Sequence, residues 1–417
     1  MKPISFSIHT KVAFLLSFIF FLLYLSTTSP VNVSYADSDL MTTIGYHLGV
    51  AHPPGYPLLM IIIYFFTHLP IPGTIAFKAH LMSNTLHSAS LFFTFLSCHL
   101  LTKHLITQHF IPLPHNKPKI PSSKQLYRYI DTSIHLLIPL IATTILGLSH
   151  LFWLYSTIAE KYALNDLFIS IILFLTLSIT LKKSVSLFHW LSLAITTALA
   201  LNHHHTIFLF SPYLLLFTWH HRLKLKPIFL PSLIVFIPAF FLPICLLVWL
   251  NQQQGPVSWH FDNTLEGLYR MLSRRDLSGY LVTEGKYRGI YLNQLSFPEL
   301  IQKIPAYSAT LINHFGLESF IFWLFGLFTL IKSKTFLARS LLILSLFTTI
   351  FIPLYVEWPI DLSTQAIRLR MYLAGYMVIP LVLTFALTKL SLHPKISALK
   401  PKPLIFITLA FIGYRLF

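Results

Sequence analysis

Charge is scarce in this sequence. Only 10% of its 417 residues are Asp, Glu, Lys or Arg, against about 25% in soluble domains. With 55% hydrophobic residues and a mean hydropathy of +0.69, this excludes a soluble globular enzyme and a disordered chain. A bilayer-embedded chain remains. Acids are scarcer still: 13 against 30 Lys and Arg, for a formal net charge of +17. In so apolar a chain the basic excess reads as cytoplasmic loops obeying the positive-inside rule, and no nucleic-acid partner is expected. Cysteine is nearly absent. Cys98 and Cys245 both lie in apolar runs, so no disulfide scaffold or zinc site is argued. No internal repeat stands out, which counts against a transporter built from inverted halves.

Apolar runs are what the sequence has in abundance. The first covers 12–29 behind Lys2 and Lys11. A signal peptide is the rival reading, because Ser34-Tyr35-Ala36 loosely resembles a cleavage site. The length and Phe content of the run favour an uncleaved anchor that starts inside and leaves near Pro30. Further runs follow at 77–102, 132–156, 164–181, 184–201, 206–220, 228–250, 309–331, 336–356, 369–389 and 403–416. They predict an all-α, polytopic membrane protein of about eleven crossings, one integral-membrane unit over 1–417. Segment 56–70 is short for a span. The basic stretch 103–130 belongs inside, and parity allows this only if 56–70 is half-embedded. The first outer loop is therefore 31–76, and the large outer loop is 251–306. The implied location is a bacterial cytoplasmic membrane, with the N-terminus inside.

The acids give an independent clue. Asp37, Asp39, Glu160, Asp166, Asp262, Glu266, Asp276, Glu284, Glu299, Glu357 and Asp361 all fall on or near the outer side of this topology. Asp131 sits inside and Glu318 within a span. Carboxylates are expensive in hydrocarbon, but cost alone does not gather them on one face. Either an outward polar site collects them, or short basic inner loops leave them nowhere else. Asp37, just beyond the first span, is placed to take a proton from an acceptor hydroxyl, and burial beside apolar surface is expected to raise its pKa toward a useful value. Asp39 reads better as a cap for a helix over 40–48. Pro53, Pro54 and Pro57 forbid regular helix between them, and Gly55 permits close backbone approach.

Asp37-Ser38, followed by Gly49-Val50-Ala51-His52-Pro53-Pro54-Gly55-Tyr56-Pro57-Leu58, carries a family resemblance. So do Phe152-Trp153 with Ile158-Ala159-Glu160-Lys161-Tyr162-Ala163-Leu164-Asn165, then Asn202-His203-His204-His205-Thr206. Trp259, Asp262, Thr264, Leu265, Gly267 and Arg275 form a large-loop motif, and Arg370-Met371-Tyr372-Leu373 a late one. In this order they resemble the protein O-mannosyltransferase-like family of the GT-C superfamily of multi-span glycosyltransferases. One departure stands out: the family pattern Asp-Ser-Gly-Glu is here Asp37-Ser38-Asp39-Leu40. The acidic role of that Glu is absent or shifted to Asp39.

The resemblance implies an inverting enzyme. It would take a hexose, mannose by family, from a polyprenyl phosphate to a hydroxyl acceptor, protein Ser/Thr or glycan, on the extracytoplasmic face. Asp37 is then the base, with Glu160 as a supporting acid. Negative charge grows on the leaving phosphate and needs fixed cations. Arg370 and Arg368 are the candidates, with Arg274 or Arg275 adding to them and His52 and His204 as further donors to the phosphate. Their alternative reading is snorkelling or solvated arginine. Asp39, Tyr162, Asn165, Trp259 and Asp262 are the candidates for sugar and acceptor, with interface-belt aromatics the alternative for Trp259. Adjacent histidines on a helix point apart, so His203-His204-His205 does not read as a metal site. No metal or cofactor is expected. A lipid-linked saccharide ligase or polymerase, and a membrane transporter, are the competing classes.

Overall fold

In the computed structural model, residues 7–110, 124–182, 185–253, 255–275, 297–351, 369–370 and 372–393 are described. Among them every regular element is helical. Five helices are long and apolar enough to cross a bilayer, and up to seven spans result if two sharply bent helix pairs each count as one. The chain is a multi-pass membrane protein.

The bundle is built around α4 (Ile75–Phe110), which packs against α1 (Ile8–Thr27), α5 (Lys124–Gly147) and α7 (Tyr162–Leu181). Helix α8 (Leu187–Leu201) bridges α7 and α11 (Phe229–Gln252), with α9 (Ser211–His220) and α10 (Arg222–Leu225) between them in sequence. α1 and α11 expose most of their apolar surface, as lipid-facing helices do, whereas α7 is mostly buried. Near the end of α1, the Tyr24 hydroxyl donates to the Gly147 carbonyl at 2.8 Å and so ties α1 to α5. Inside, His87 of α4 meets Asp166 of α7 at 3.2 Å, both fully buried, and Ser156 of α6 (His150–Ser156) bonds the other His87 nitrogen at 2.9 Å. A buried ionisable pair that also hydrogen-bonds a third helix fixes register where apolar packing alone would slide.

Three features refine the sequence reading. The run 132–156 is one helix to Gly147, then bends by 68° into α6. The run 309–331 is preceded by a helix already under way: α13 (Phe297–Phe315) meets α14 (Leu317–Lys332) at 118°. Gly316, at φ 86°, makes that corner, because a residue with a Cβ is strained there. Glu318 stands in the first turn of α14, exposed. Helix α3 (Pro57–Thr67) has 11 residues, about 16 Å of rise against a hydrocarbon core of about 30 Å. Beyond α14 come α15 (Phe336–Ser345), α16 (Leu373–Tyr376) and α17 (Ile379–Ser391); α17 packs on α4, α5 and α14. The run 403–416 lies outside the described residues.

Candidate active site

Five chain segments converge where α1 ends and α7 begins. The first is the entry to α2 (Ser38–Tyr46). Asp37 occupies its N-cap position, yet its side chain makes no capping bond. The carboxylate is left for long-range partners, and one oxygen, Oδ2, takes them all. Lys161 Nζ contacts it, Arg370 Nη1 donates at 3.2 Å, and His52 Nε2 lies at 3.4 Å. Oδ1 has no partner among the described residues, and a quarter of the side chain is exposed. Burial pushes the carboxyl up, but Lys161, His52 and Arg370 outweigh it and hold the group well below the usual carboxylate range. This reverses the expectation that burial would raise it.

Such a depressed carboxyl has a pH signature. In the unfolded chain it takes a proton near ~3.9. The folded state's advantage is therefore complete above that value and is lost progressively below it. The difference in thermal midpoint between wild type and Asp37→Asn in detergent is expected to shrink below about pH 4. A difference that persists unchanged to about pH 2 contradicts the assignment.

The second segment links α6 to α7. Glu160 is fully buried there. Its Oε1 accepts from the Asp37 backbone N–H at 2.7 Å; its Oε2 accepts from the Lys161 N–H at 3.1 Å and faces Lys161 Nζ at 3.2 Å. Ser38 Oγ accepts from the Ala159 N–H at 3.1 Å. Two loops 123 residues apart are thereby stitched side chain to backbone. Lys161, with a side chain 4% exposed, lies over the rings of Tyr56 and Tyr162 at 5.5 and 5.4 Å. Burial opposes its charge, but Glu160, Tyr162, Tyr56 and Asp37 keep its pKa above the ordinary lysine value.

The third segment is the proline turn. His52 Nδ1 lies 3.0 Å from the Pro53 carbonyl, an acceptor, so that nitrogen carries a proton. Nε2 donates to Asp37 only when the ring is an imidazolium. Gly55, at φ 91°, lets Tyr56 pass under α11: a Cβ there would meet Leu247 Cδ1 at 2.4 Å. The fourth segment follows α8. His203 Nε2 donates to the Lys161 carbonyl at 2.8 Å. Burial pushes His203 down to about 4, helped by the Lys161 and Arg274 charges, so it is neutral at pH 7. His204 Nδ1 caps the next 3-10 turn, His205–Phe210, and its ring stacks on Tyr56 at 6.4 Å.

The large outer loop supplies the fifth. Its strand-like piece docks on the first: Trp259 N–H donates to the Val50 carbonyl and Val50 N–H to Ser258 Oγ, each at 2.8 Å. Gly49 makes room, since a Cβ would lie 2.3 Å from the Val257 carbonyl oxygen. Helix α12 (Leu265–Ser273) then starts at Thr264, which caps Gly267, and ends at Arg274 in the left-handed region. That twist sends Arg274 Nη2 to the Tyr56 hydroxyl and Arg275 Nη1 outward to Glu266 at 3.9 Å.

Of the residues expected from sequence, Asp37, Glu160, His52 and Arg370 are brought together. Tyr162 and His204 line the same cluster through ring contacts. Asp39 turns to Ser34 at 3.3 Å, in the first turn of α2. Asn165 contacts Asp166 at 3.4 Å, in the buried polar group of α7. Asp262 forms a largely exposed ion pair with Arg270 at 2.8 Å. Trp259 is held by its backbone, its side chain partly exposed. Arg368 lies outside the described residues. Lys161 was missed in sequence, although it stands inside a quoted motif; a lysine flanked by Glu160 and Tyr162 at the mouth of an apolar run was the available signal. In this cluster Asp37 and Glu160 face Lys161, Asp37 also faces Arg370, and Arg274 reaches the Tyr56 hydroxyl. Arg370 Nε is buried without a partner among the described residues.

Residues 37–226 match the family model of the protein O-mannosyl-transferase TMEM260 N-terminal domain. That match begins at Asp37 and takes in Glu160, Lys161 and the histidines; Arg274 and Arg370 lie beyond it. Protein O-mannosyl-transferase tmem260 of Dictyostelium discoideum is 24% identical over 386 residues, 87% of this chain and 42% of the relative. TMEM260 of Mus musculus is 23% identical over 266 residues, 62% of this chain and 33% of the relative. The chain thus spans less than half the length of these curated relatives. By these matches, and by the ordered motifs that meet in one site, the chain resembles the protein O-mannosyltransferase-like family.

Proposed function

We propose that the chain is an inverting GT-C-type glycosyltransferase. It moves a hexose, mannose, from a polyprenyl phosphate to a protein Ser/Thr hydroxyl on the extracytoplasmic face. The carrying observation is Asp37: a carboxylate with one oxygen held by Lys161 and Arg370 and the other open. The acceptor hydroxyl approaches Oδ1 and gives up its proton as its oxygen bonds the anomeric carbon. The carbon–oxygen bond to phosphate breaks on the far side, so configuration inverts. Charge develops on the leaving phosphate, and Arg370, with its unpartnered Nε, is the cation for it. Glu160 orients the Asp37 backbone, and the Tyr162 and His204 rings meet beside it, Tyr162 for the sugar and His204 for the phosphate.

The names of the relatives supply mannose and a protein acceptor. The positive-inside pattern supplies the orientation, N-terminus inside with the site outside, and the count of about eleven crossings with α3 half-embedded. A transporter reading needs ionisable groups at mid-membrane. Asp166, the buried candidate, stands in the second turn of α7, close to the site end.

Membranes carrying the chain, supplied with labelled polyprenyl-phosphate mannose and a Ser/Thr peptide, are expected to release lipid-linked label and form glycopeptide of inverted anomeric configuration, read by NMR. Retained configuration removes the single displacement. No turnover with mannose, glucose or galactose donors removes the enzyme class.

A further inference from the structure

Lys161 is the residue that this mechanism leaves without a task. Its ammonium has three donors. Two face carboxylates, Asp37 Oδ2 and Glu160 Oε2, the second at 3.2 Å. The third meets no oxygen among the described residues; two aromatic faces, Tyr56 and Tyr162, lie around it instead. The two carboxylates are not held alike. Glu160 is fixed by two backbone N–H groups and fully buried. Asp37 is partly exposed and shares its one engaged oxygen among Lys161, Arg370 and His52. Glu160 is a fixed anchor for the lysine, and Asp37 is an exchangeable partner.

The charge balance of transfer makes that exchange necessary. The donor phosphodiester carries one negative charge. As the acceptor oxygen bonds the anomeric carbon, the electron pair of the breaking carbon–oxygen bond goes to phosphate, which then carries two. The acceptor's proton goes to Asp37, which becomes neutral. One negative charge therefore leaves the place where Lys161 and Arg370 now sit and appears on the phosphate. Cations kept on Asp37 oppose both halves of the step. A point charge on a four-carbon stem can follow the charge in a way a rigid fork does less readily.

We infer that Lys161 is a catalytic cation that changes partners: it rests on Asp37 in the donor-free site and moves onto the donor's phosphate, releasing Asp37 to take the acceptor's proton only when a donor is bound. This rests on the phosphate-donor reading above. Donor binding then precedes deprotonation of the acceptor, and the base is masked against idle chemistry.

The test uses the full chain in detergent and methyl farnesyl phosphate, a singly charged phosphodiester that does not titrate in the working range. Binding at pH 5 is expected to raise a protonated-carboxyl carbonyl band in the infrared difference spectrum, and the band should be missing in Asp37→Asn. Lys161→Met should weaken probe affinity by about 10–100-fold, the range of one charge-assisted hydrogen bond. Lys161→Arg, which keeps the charge on a stiffer fork, should restore only part of it. With donor, Lys161→Met should lower kcat by about 10²–10³-fold, with KM for the acceptor unchanged. The infrared arm uses wild type and stands even if the Met variant does not fold. Probe binding without the carbonyl band, and with equal affinity for Lys161→Met, overturns the exchange and leaves the donor reading standing. Failure of wild type to bind the probe at all overturns the donor reading as well.

Discussion

Asp37→Asn is expected to lower sugar transfer by about 10²–10⁴-fold, the span of a general base, while the protein still folds. Asn keeps the volume and an oxygen for Lys161 and Arg370 to donate to. It loses the charge and the ability to accept a proton at Oδ1. The nearest carboxylates do not replace it. Asp39 is turned to Ser34 and the Leu40 N–H, and Glu160 has both oxygens engaged in a fully buried position. Initial rates on labelled donor, with thermal unfolding in the same detergent, separate chemistry from folding. Wild-type rates in the variant would falsify the assignment of the base.

The second large effect is expected at Glu160. Glu160→Ala removes the acceptor for the Asp37 N–H and one of two carboxylates on a lysine whose side chain is 4% exposed. Breaking one partner out of a buried ion pair costs about 3–5 kcal/mol. Here it also unties the link between the α1–α2 and α6–α7 connections. Stability and transfer should fall together. Glu160→Gln keeps an oxygen for the Asp37 N–H and so should lose less stability, while Lys161 loses its anchor charge. Denaturant unfolding of both variants checks the order wild type, Gln, Ala. If Ala unfolds like wild type, Glu160 is a loop charge and the loops are held by their other contacts, Ser38 with Ala159 and Asp37 with Lys161.

Much of this architecture is legible one segment at a time. Hydropathy marks α1, α4, α7, α11 and α17 because a span must be apolar over its own length, and Asp37, His52, Glu160 and Tyr162 stand out as polar groups at the mouths of such runs. The corners are less legible. The bend at Gly316 turns on one backbone angle inside a pattern that reads as a continuous helix. The two arginines 274 and 275 are a similar case. Side by side they look equivalent, yet the left-handed Arg274 sends one to Tyr56 and the other to Glu266.

The sign of the Asp37 shift separates local patterning from long-range packing. Sequence placed an acid at the end of a span, and from there burial alone predicts a raised pKa. Packing brought Lys161 from 124 residues away and Arg370 from 333 onto one oxygen, and their charge outweighs burial. Apolar patterning is local, because each residue meets lipid or core where it stands. Electrostatic pairing falls off with distance in space, and that distance exists only once the helices have packed.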